Sequence, residues 1–311
     1  MKPKVYIDGK EGTTGLQIYD RLASRTDIEL ILIDEDKRKD PAERKKLMDA
    51  ADIVFLCLPD AAAIEAVSLV ESETTRIIDA STAHRTNSAW AYGFPELSAQ
   101  HREAIKTSKR VANPGCHASG FVSIVYPLVA MGILPADAAL SCFSLTGYSG
   151  GGKKMIADYE GDAKTATMSS PGIYATSQAH KHLPEMTAIC GLSTAPIFSP
   201  IVDDYYKGMA TTVPFHMSQL QGVSSVQEVR DRLAAHYAGQ KMVTVAEGTT
   251  SGLLYGNTQA GSDTMTLVVA GNDERFTITA LFDNLGKGAS GAAVQNMNIM
   301  LGLDETTSLS V

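Results

Sequence analysis

The stretch KVYIDGKEGTTGLQIYDRL, residues 4–22, passes from an apolar strand pattern into a glycine-rich turn and then into a helix pattern. Gly9, Gly12 and Gly15 stand as G-x-x-G-x-x-G, one residue removed from the usual dinucleotide fingerprint. The physical requirement is still met. Glycines permit a tight turn and close backbone approach, and the helix N-terminus offers unpaired N–H groups to a pyrophosphate. Thr13 and Thr14 add hydroxyl donors. A strand-to-helix turn serving another ligand is the plainer alternative, but the early position of this turn favours a nucleotide.

Working outward, IELILID, DIVFLCL and TRIIDAS read as further strands, separated by a charged helix and by a helix through AAIEAVSLV, with RVANP as the last strand. That alternation predicts an α/β fold, a doubly wound Rossmann-type parallel sheet. Its strands are nearly continuous apolar runs because helices cover both faces. Beyond residue 115 the texture changes to longer strands, GMATTVPFHM, TMTLVVAG and RFTITALFDN, the last two joined by GNDE as a hairpin turn. This predicts a second, α+β domain with a mixed or antiparallel sheet. Residues 1–115 with 285–311 are expected to form the dinucleotide-binding domain, and 116–284 the catalytic, substrate and oligomerisation domain. The helix SVQEVRDRLAAHYAG is expected to close on Gly239 as its C-cap, and a final helix to run from Ala289 to Leu301.

The 311 residues carry 27 Lys and Arg against 35 Asp and Glu, a net charge of −8. With no long basic run, nucleic acid is not an expected partner, and a small anionic ligand would need local positive charge. No apolar run approaches the roughly 20 residues that cross a bilayer. MKPKVYIDGK enters a strand pattern without a signal-peptide core, so a soluble cytoplasmic protein without a membrane partner is expected. Cys57, Cys116, Cys142 and Cys190 show no metal-ligand spacing, and neither disulfides nor a metal are expected. Cys57 and Cys142 lie in strand-like runs and read as core.

Cys116 differs. In VANPGCHASGFVSIVYPL, residues 111–128, it follows Pro-Gly and opens a helix pattern. Gly115 admits a reacting group, and the positive end of a helix dipole favours thiolate. Such a thiolate attacks an activated acyl group to form a thioester, which a nicotinamide can reduce. Taken alone, a lone cysteine reads more readily as a buried structural thiol. Partners come from AHKHLPEM, residues 179–186. In an extended segment His180 and His182 point to one side, where one acts as acid or base while Glu185 fixes the ring. A metal pair or an exposed loop is the alternative there.

DASTAHRT, residues 79–86, places Ser81, Thr82, His84 and Arg85 after a parallel strand, where ligands of open α/β sheets bind. TGYSGGGKKM, residues 146–155, offers a flexible loop of Ser149, Gly150, Gly151 and Gly152, then Lys153, able to wrap a phosphate. In DEDKRKD, residues 34–40, Asp34 suits the ribose 2′-hydroxyl of NAD, whereas Lys37, Arg38 and Lys39 suit a 2′-phosphate or simply form a solvated face. The residues leave NAD and NADP both open.

Together IDGKEGTTGLQI, DASTAHR, YGFPEL, VANPGC, GYSGGGK, HKHLPEM and FDNLGKGASGAAVQNMN resemble the N-acetyl-γ-glutamyl-phosphate reductase family in its shorter form, from the first strand to the final helix. The resemblance implies kinship with aspartate-semialdehyde dehydrogenase. It also implies NADP(H)-dependent reduction of the acyl phosphate to N-acetylglutamate semialdehyde, with release of phosphate, in arginine biosynthesis. It maps the nucleophile onto Cys116 and the assisting histidine onto His182 or His180, with His182 preferred. Asn113 joins Ser81, His84, Arg85, Ser149, Gly150 and Lys153 as expected substrate contacts. Asn284, Lys287, Gly288 and Ala289 join Gly9, Gly12, Thr13, Thr14, Gly15, Asp34 and Ser81 as expected cofactor contacts. His117 departs from the resemblance, since an aromatic residue more often follows the nucleophile. A homodimer or homotetramer is expected, with apolar strands such as TMTLVVAG leaving room for a sheet interface. Reduction of another acyl phosphate, such as aspartyl phosphate, and nucleotide sensing without chemistry are the rival functions.

Overall fold

A computed structural model describes residues 2–247 and 252–311. The chain divides into two units: one runs to Pro114 and resumes at Ala289–Leu309, and the other comprises Gly115–Gly288 with Ser310–Val311.

The first unit begins with β1 (Lys4–Asp8), α1 (Thr13–Leu22), β2 (Glu29–Ile31), α2 (Pro41–Ala50), β3 (Ile53–Leu56) and α3 (Asp60–Leu69). It continues with β4 (Arg76–Asp79), β5 (Ala91–Tyr92), α4 (Ala99–Thr107) and β6 (Arg110–Ala112). The strands form a six-stranded sheet in the order β2-β1-β3-β4-β6-β5, every pairing parallel. The period-2 geometry of a strand explains the unbroken apolar runs. Val5, Ile7, Ile53, Phe55, Ile78 and Val111 face one side and pack with Ile18 and Leu22 of α1 and with Met297. Tyr6, Val54, Leu56 and Ile77 face the other and pack with Met48 of α2 and with Ala63 and Ala66 of α3. Each fully buried Leu, Ile or Met contributes about 1.5–3 kcal/mol.

The terminal helix is Gly291–Met300, every residue of it buried, and it is preceded by a π-helical turn over Gly286–Ser290. Its polar residues are tied within the unit. Asn296 Nδ2 donates to Gly93 O and Asn113 Oδ1, and Gln295 Nε2 donates to Glu96 and Glu305.

The second unit contains α5 (Cys116–Ala130), β7 (Ser141–Gly147), α6 (Gly152–Glu160), β8 (Gly172–Ile173), α7 (Leu183–Cys190) and β9 (Ile197–Asp203). β10 (Met209–His216), α8 (Val226–His236), β11 (Val243–Val245), β12 (Met265–Gly271) and β13 (Arg275–Phe282) complete it. The seven-stranded sheet runs β11-β12-β13-β10-β7-β9-β8. It is mixed: β7 is parallel to β9 and β11 to β12, the remaining pairs being antiparallel. The hairpin between β12 and β13 turns through Asn272, whose side-chain oxygen accepts from Glu274 N and Arg275 N.

Three local expectations need correction. α8 ends at His236 with Tyr237 as its cap. Gly239, at φ +79°, therefore lies two residues past the cap, where the chain must turn left-handed to leave the helix. Cys57 stands one residue beyond β3 and is only partly buried, whereas Cys142 is buried in β7 as expected. The Ser149–Gly152 stretch is a 3₁₀ turn running into α6 rather than a loose loop. No helix among the described residues is long and apolar enough to cross a membrane.

Candidate active site

In the first unit, Gly9 adopts φ +84°, and a Cβ there would lie 2.4 Å from the carbonyl oxygen of Cys57. A Cβ at Gly15 would lie 2.4 Å from Gly9 O. Both glycines are therefore demanded by close backbone approach. Gly12 is the N-cap of α1, and no side chain caps the helix. The first-turn N–H groups are thus left for an anion, which is the fit a dinucleotide pyrophosphate requires. Thr13 and Thr14 open the helix. Asp34 is exposed, with Lys37 Nζ 3.6 Å from its carboxylate. Arg38 and Lys39 are exposed beside them.

At the carboxyl end of β4, buried Asp79 organises its neighbours. Its Oδ2 accepts from Ser81 Oγ at 2.7 Å and lies 2.6 Å from His84 Nδ1. The His84 ring stacks on Trp90 with centroids 4.0 Å apart. Arg85 donates to Asn113 O and Ala80 O, bracing the ends of β4 and β6. The Asn113 amide donates to Ala289 O and accepts from Asn296, so both its ends are engaged inside the unit.

The second unit carries the thiol. Cys116 is the first residue of α5, with Gly115 as N-cap and no capping side chain. Gly115 N donates to buried Glu185 Oε1 at 2.9 Å. Glu185 therefore anchors the turn that presents the thiol, a task its sequence spacing from the histidines did not reveal. Gly288 packs against the same residue: a Cβ there would lie 3.1 Å from Cys116 Cβ. Lys287 beside it is buried. Asn284 bridges Gly208 N and Ser149 Oγ, which holds the buried Ser149 in place. Lys153 projects from the first turn of α6, exposed, after Gly150 and Gly151.

The histidine segment is not extended. His182 is the N-cap of α7 in helical conformation, because Leu183 N bonds back to His180 O in a turn. The rings nevertheless converge, His180 lying 4.7 Å from His182 and His117 within 5.8 Å of both. Two residues just upstream, Ala175 and Gln178, hold positive φ without being glycine. Strain of this kind persists where surrounding contacts fix it: the Gln178 amide bonds both N and O of Phe198 in β9.

His180 Nδ1 accepts from His182 N, which puts the His180 proton on Nε2. Burial, with the Lys181 charge adding, holds its pKa down at about 4. Burial, with His180 adding, holds His117 at about 3. Both rings are neutral at pH 7. Both nitrogens of His117 are engaged, Nδ1 with Ser144 Oγ and Nε2 with Tyr174 Oη, each at 2.7 Å, so the three rings are not a metal set. Burial first, with the neighbouring Cys116 acting in the same direction, raises the Tyr174 phenol above its ordinary range and keeps it protonated. Sequence reasoning passed over Tyr174, Ser144 and Thr211. The available signal was the inward face of β7, where polar Ser144 and Thr146 stand at core positions.

With this geometry in view, the relatives are informative. Residues 4–108 match the family described as semialdehyde dehydrogenase, NAD binding domain, and residues 116–284 the family described as semialdehyde dehydrogenase, dimerisation domain. Among solved structures, aspartate semialdehyde dehydrogenase II from Vibrio cholerae, complexed with ASA, aligns with a TM-score of 0.72. It shares 16% identity over 97% of this chain and 99% of that one. At that identity the likeness establishes the fold. The N-acetyl-gamma-glutamyl-phosphate reductase 2 of Nostoc sp. is 47% identical over 99% of both chains. The reductase of Brucella anthropi is 48% identical over 97% of this chain and 99% of its own. Identity near one half, sustained from the glycine turn to the terminal helix, is far more than a shared fold requires: the chain belongs to the N-acetyl-γ-glutamyl-phosphate reductase family.

Proposed function

We propose that the protein reduces N-acetyl-γ-glutamyl phosphate to N-acetylglutamate 5-semialdehyde, with release of phosphate, using NADPH, as a step of arginine biosynthesis in the cytoplasm. The observation that carries the chemistry is the Cys116 thiol as first residue of a helix whose N-cap glycine is anchored by Glu185, beside neutral imidazoles and a protonated phenol. A bound nicotinamide cofactor supplies the hydride in this reaction. Gly9, Gly12 and Gly15 admit its pyrophosphate to the N-terminus of α1, and Lys37, Arg38 and Lys39 favour the form with a 2′-phosphate.

Cys116 Sγ attacks the acyl carbon, the C–O bond to phosphate breaks, and a thioester remains on the chain. His182 gives a proton to the oxygen as the thioester carbonyl is reduced and takes it back from the resulting thiohemiacetal, the C–S bond breaks, and the aldehyde leaves with the thiolate restored. Lys153 offers its charge to an anionic group of the substrate. The test is run in reverse, with N-acetylglutamate semialdehyde, phosphate and NADP⁺. NADPH formation that requires phosphate is expected, and it should exceed the rate with NAD⁺ or aspartate semialdehyde. Cofactor binding without turnover on either aldehyde would instead support a sensor.

The second unit also supports self-association. One face of its sheet presents Phe143, Ile173 and Ile197 at 41%, 63% and 65% exposure. Leu145 and Ile201 lie in register beside them. An apolar strip of this kind fits a second copy of the chain, giving a homodimer or homotetramer. Sedimentation is expected to give a dimer or larger, and Ile197→Glu to shift it toward the monomer. An unchanged assembly would place the interface elsewhere.

A further inference from the structure

The Tyr174 phenol ends a buried file of polar side chains that belongs wholly to the second unit. Thr211 Oγ1 lies 2.7 Å from Ser144 Oγ, across a register pair of β10 and β7. Ser144 Oγ lies 2.7 Å from His117 Nδ1, and His117 Nε2 lies 2.7 Å from Tyr174 Oη. Thr211 and Ser144 are fully buried and His117 nearly so. Neither hydroxyl has a further hydrogen-bond partner among the described residues.

Counting protons fixes the direction of this file. If His117 Nδ1 were protonated, the two contacts among His117, Ser144 and Thr211 would have to absorb three protons: one N–H and two O–H. One buried proton would have no acceptor, an arrangement that folded proteins avoid. With Nδ1 bare, two protons meet two acceptors: Thr211 donates to Ser144, and Ser144 donates to His117. The neutral ring then carries its proton on Nε2 and donates it to Tyr174 Oη. The phenol's own proton cannot point back at His117, so it points away from that ring. The Tyr174 ring lies 6.0 Å from that of His180, itself 4.7 Å from His182, and His117 directly follows Cys116 at the start of α5.

We infer that Thr211, Ser144 and His117 form a one-way hydrogen-bond relay that locks His117 as its Nε2–H tautomer and turns the Tyr174 hydroxyl outward as the donor to the oxygen of the acyl group carried by Cys116. The inference rests on the acyl-transfer reading above. It makes His117, the residue that departs from the aromatic more usual after the nucleophile, a positioning residue. A donor aimed where the oxyanion forms acts in the transition state more than in the ground state, so its loss falls on kcat.

Nitrogen-15 NMR of the full chain labelled at histidine reads the tautomer directly, with His117 assigned through its ring-to-backbone correlations. A proton on Nε2 and a bare Nδ1 are expected, and a proton on Nδ1 overturns the relay. In steady-state kinetics, Tyr174→Phe should lower kcat about a hundredfold. Ser144→Ala, which frees the ring to change tautomer, should lower kcat about tenfold with KM unchanged. In the Tyr174→Phe background Ser144→Ala should cost nothing more. A Ser144→Ala loss that repeats undiminished in that background would make Ser144 merely structural and overturn the coupling. If the wild-type protein reduces no acyl phosphate, the reaction assignment fails while the NMR result still decides the tautomer.

Discussion

Cys116→Ser is expected to lower reductase turnover by roughly a thousandfold or more while the protein still folds and still binds its dinucleotide. The argument begins with the element that holds the side chain. Gly115 caps α5 without a side chain of its own, and Cys116 is the first residue of the helix, where the positive end of the dipole lies. That field stabilises a thiolate, which is a strong nucleophile at neutral pH. A serine hydroxyl in the same field stays protonated, and the neighbouring imidazoles are poor bases, His180 titrating at about 4 and His117 at about 3. Serine also keeps the volume and the partly exposed setting of Cys116, so the thermal midpoint should change little. The measurement is phosphate-dependent NADP⁺ reduction beside a dinucleotide titration on the same preparations. A serine variant that turns over at the wild-type rate would remove the covalent step and leave direct hydride attack on the acyl phosphate as the alternative.

The difference between what the residues alone disclosed and what required the fold follows sequence distance. The glycine turn is local: Gly9, Gly12 and Gly15 lie within one turn, and their spacing states the backbone approach that the Gly9 φ of +84° confirms. The sheet of the first unit was equally legible, because strands covered on both faces have to be apolar throughout. The thiol's position at a helix start was legible from Pro-Gly-Cys. Its surroundings were not. Thr211 meets Ser144 only through pairing of β10 with β7, and Tyr174 reaches His117 only because it follows the short strand β8. Isolated serines and threonines in strand patterns carry no periodic mark of a polar file. The histidine segment failed for a different reason. Two histidines separated by one residue fit an extended strand, but the proline after Leu183 suits the first turn of a helix, and α7 claims His182 as its N-cap.

Acidification below about pH 6.5 is expected to destabilise the second unit steeply. His117 has an ordinary pKa near 6.5 in an unfolded chain, whereas in the fold burial first, and then His180, hold it at about 3. Above pH 7 both states are neutral and the residue contributes nothing to pH dependence. As pH falls through 6.5 the unfolded chain takes up a proton that the folded ring refuses, so the unfolded state gains about 1.4 kcal/mol per pH unit. By pH 3 the sum for His117 is of order 4 kcal/mol, a large share of the roughly 5–15 kcal/mol that holds a domain together. His180, held at about 4 by burial and by Lys181, acts in the same direction with a smaller effect because it is partly exposed. His101 of the first unit, lowered by burial, adds in the same window. Asp27 and Asp49, lowered chiefly by their bonds to Arg25 and Lys45 against opposing desolvation, lose their contributions only below about pH 4. Urea midpoints between pH 7 and 4.5 therefore isolate the histidines. A near-Thr211 probe such as hydrogen exchange in β10 should report the loss for the second unit. Stability that stays flat across this window would mean that His117 accepts a proton in place. A charged imidazole would carry protons on both nitrogens and would have to donate to Ser144 as well as to Tyr174, reversing the Ser144–Thr211 bond and leaving the Thr211 proton without an acceptor. The neutrality of His117 is thus the common condition for the acid sensitivity and for an outward-facing Tyr174.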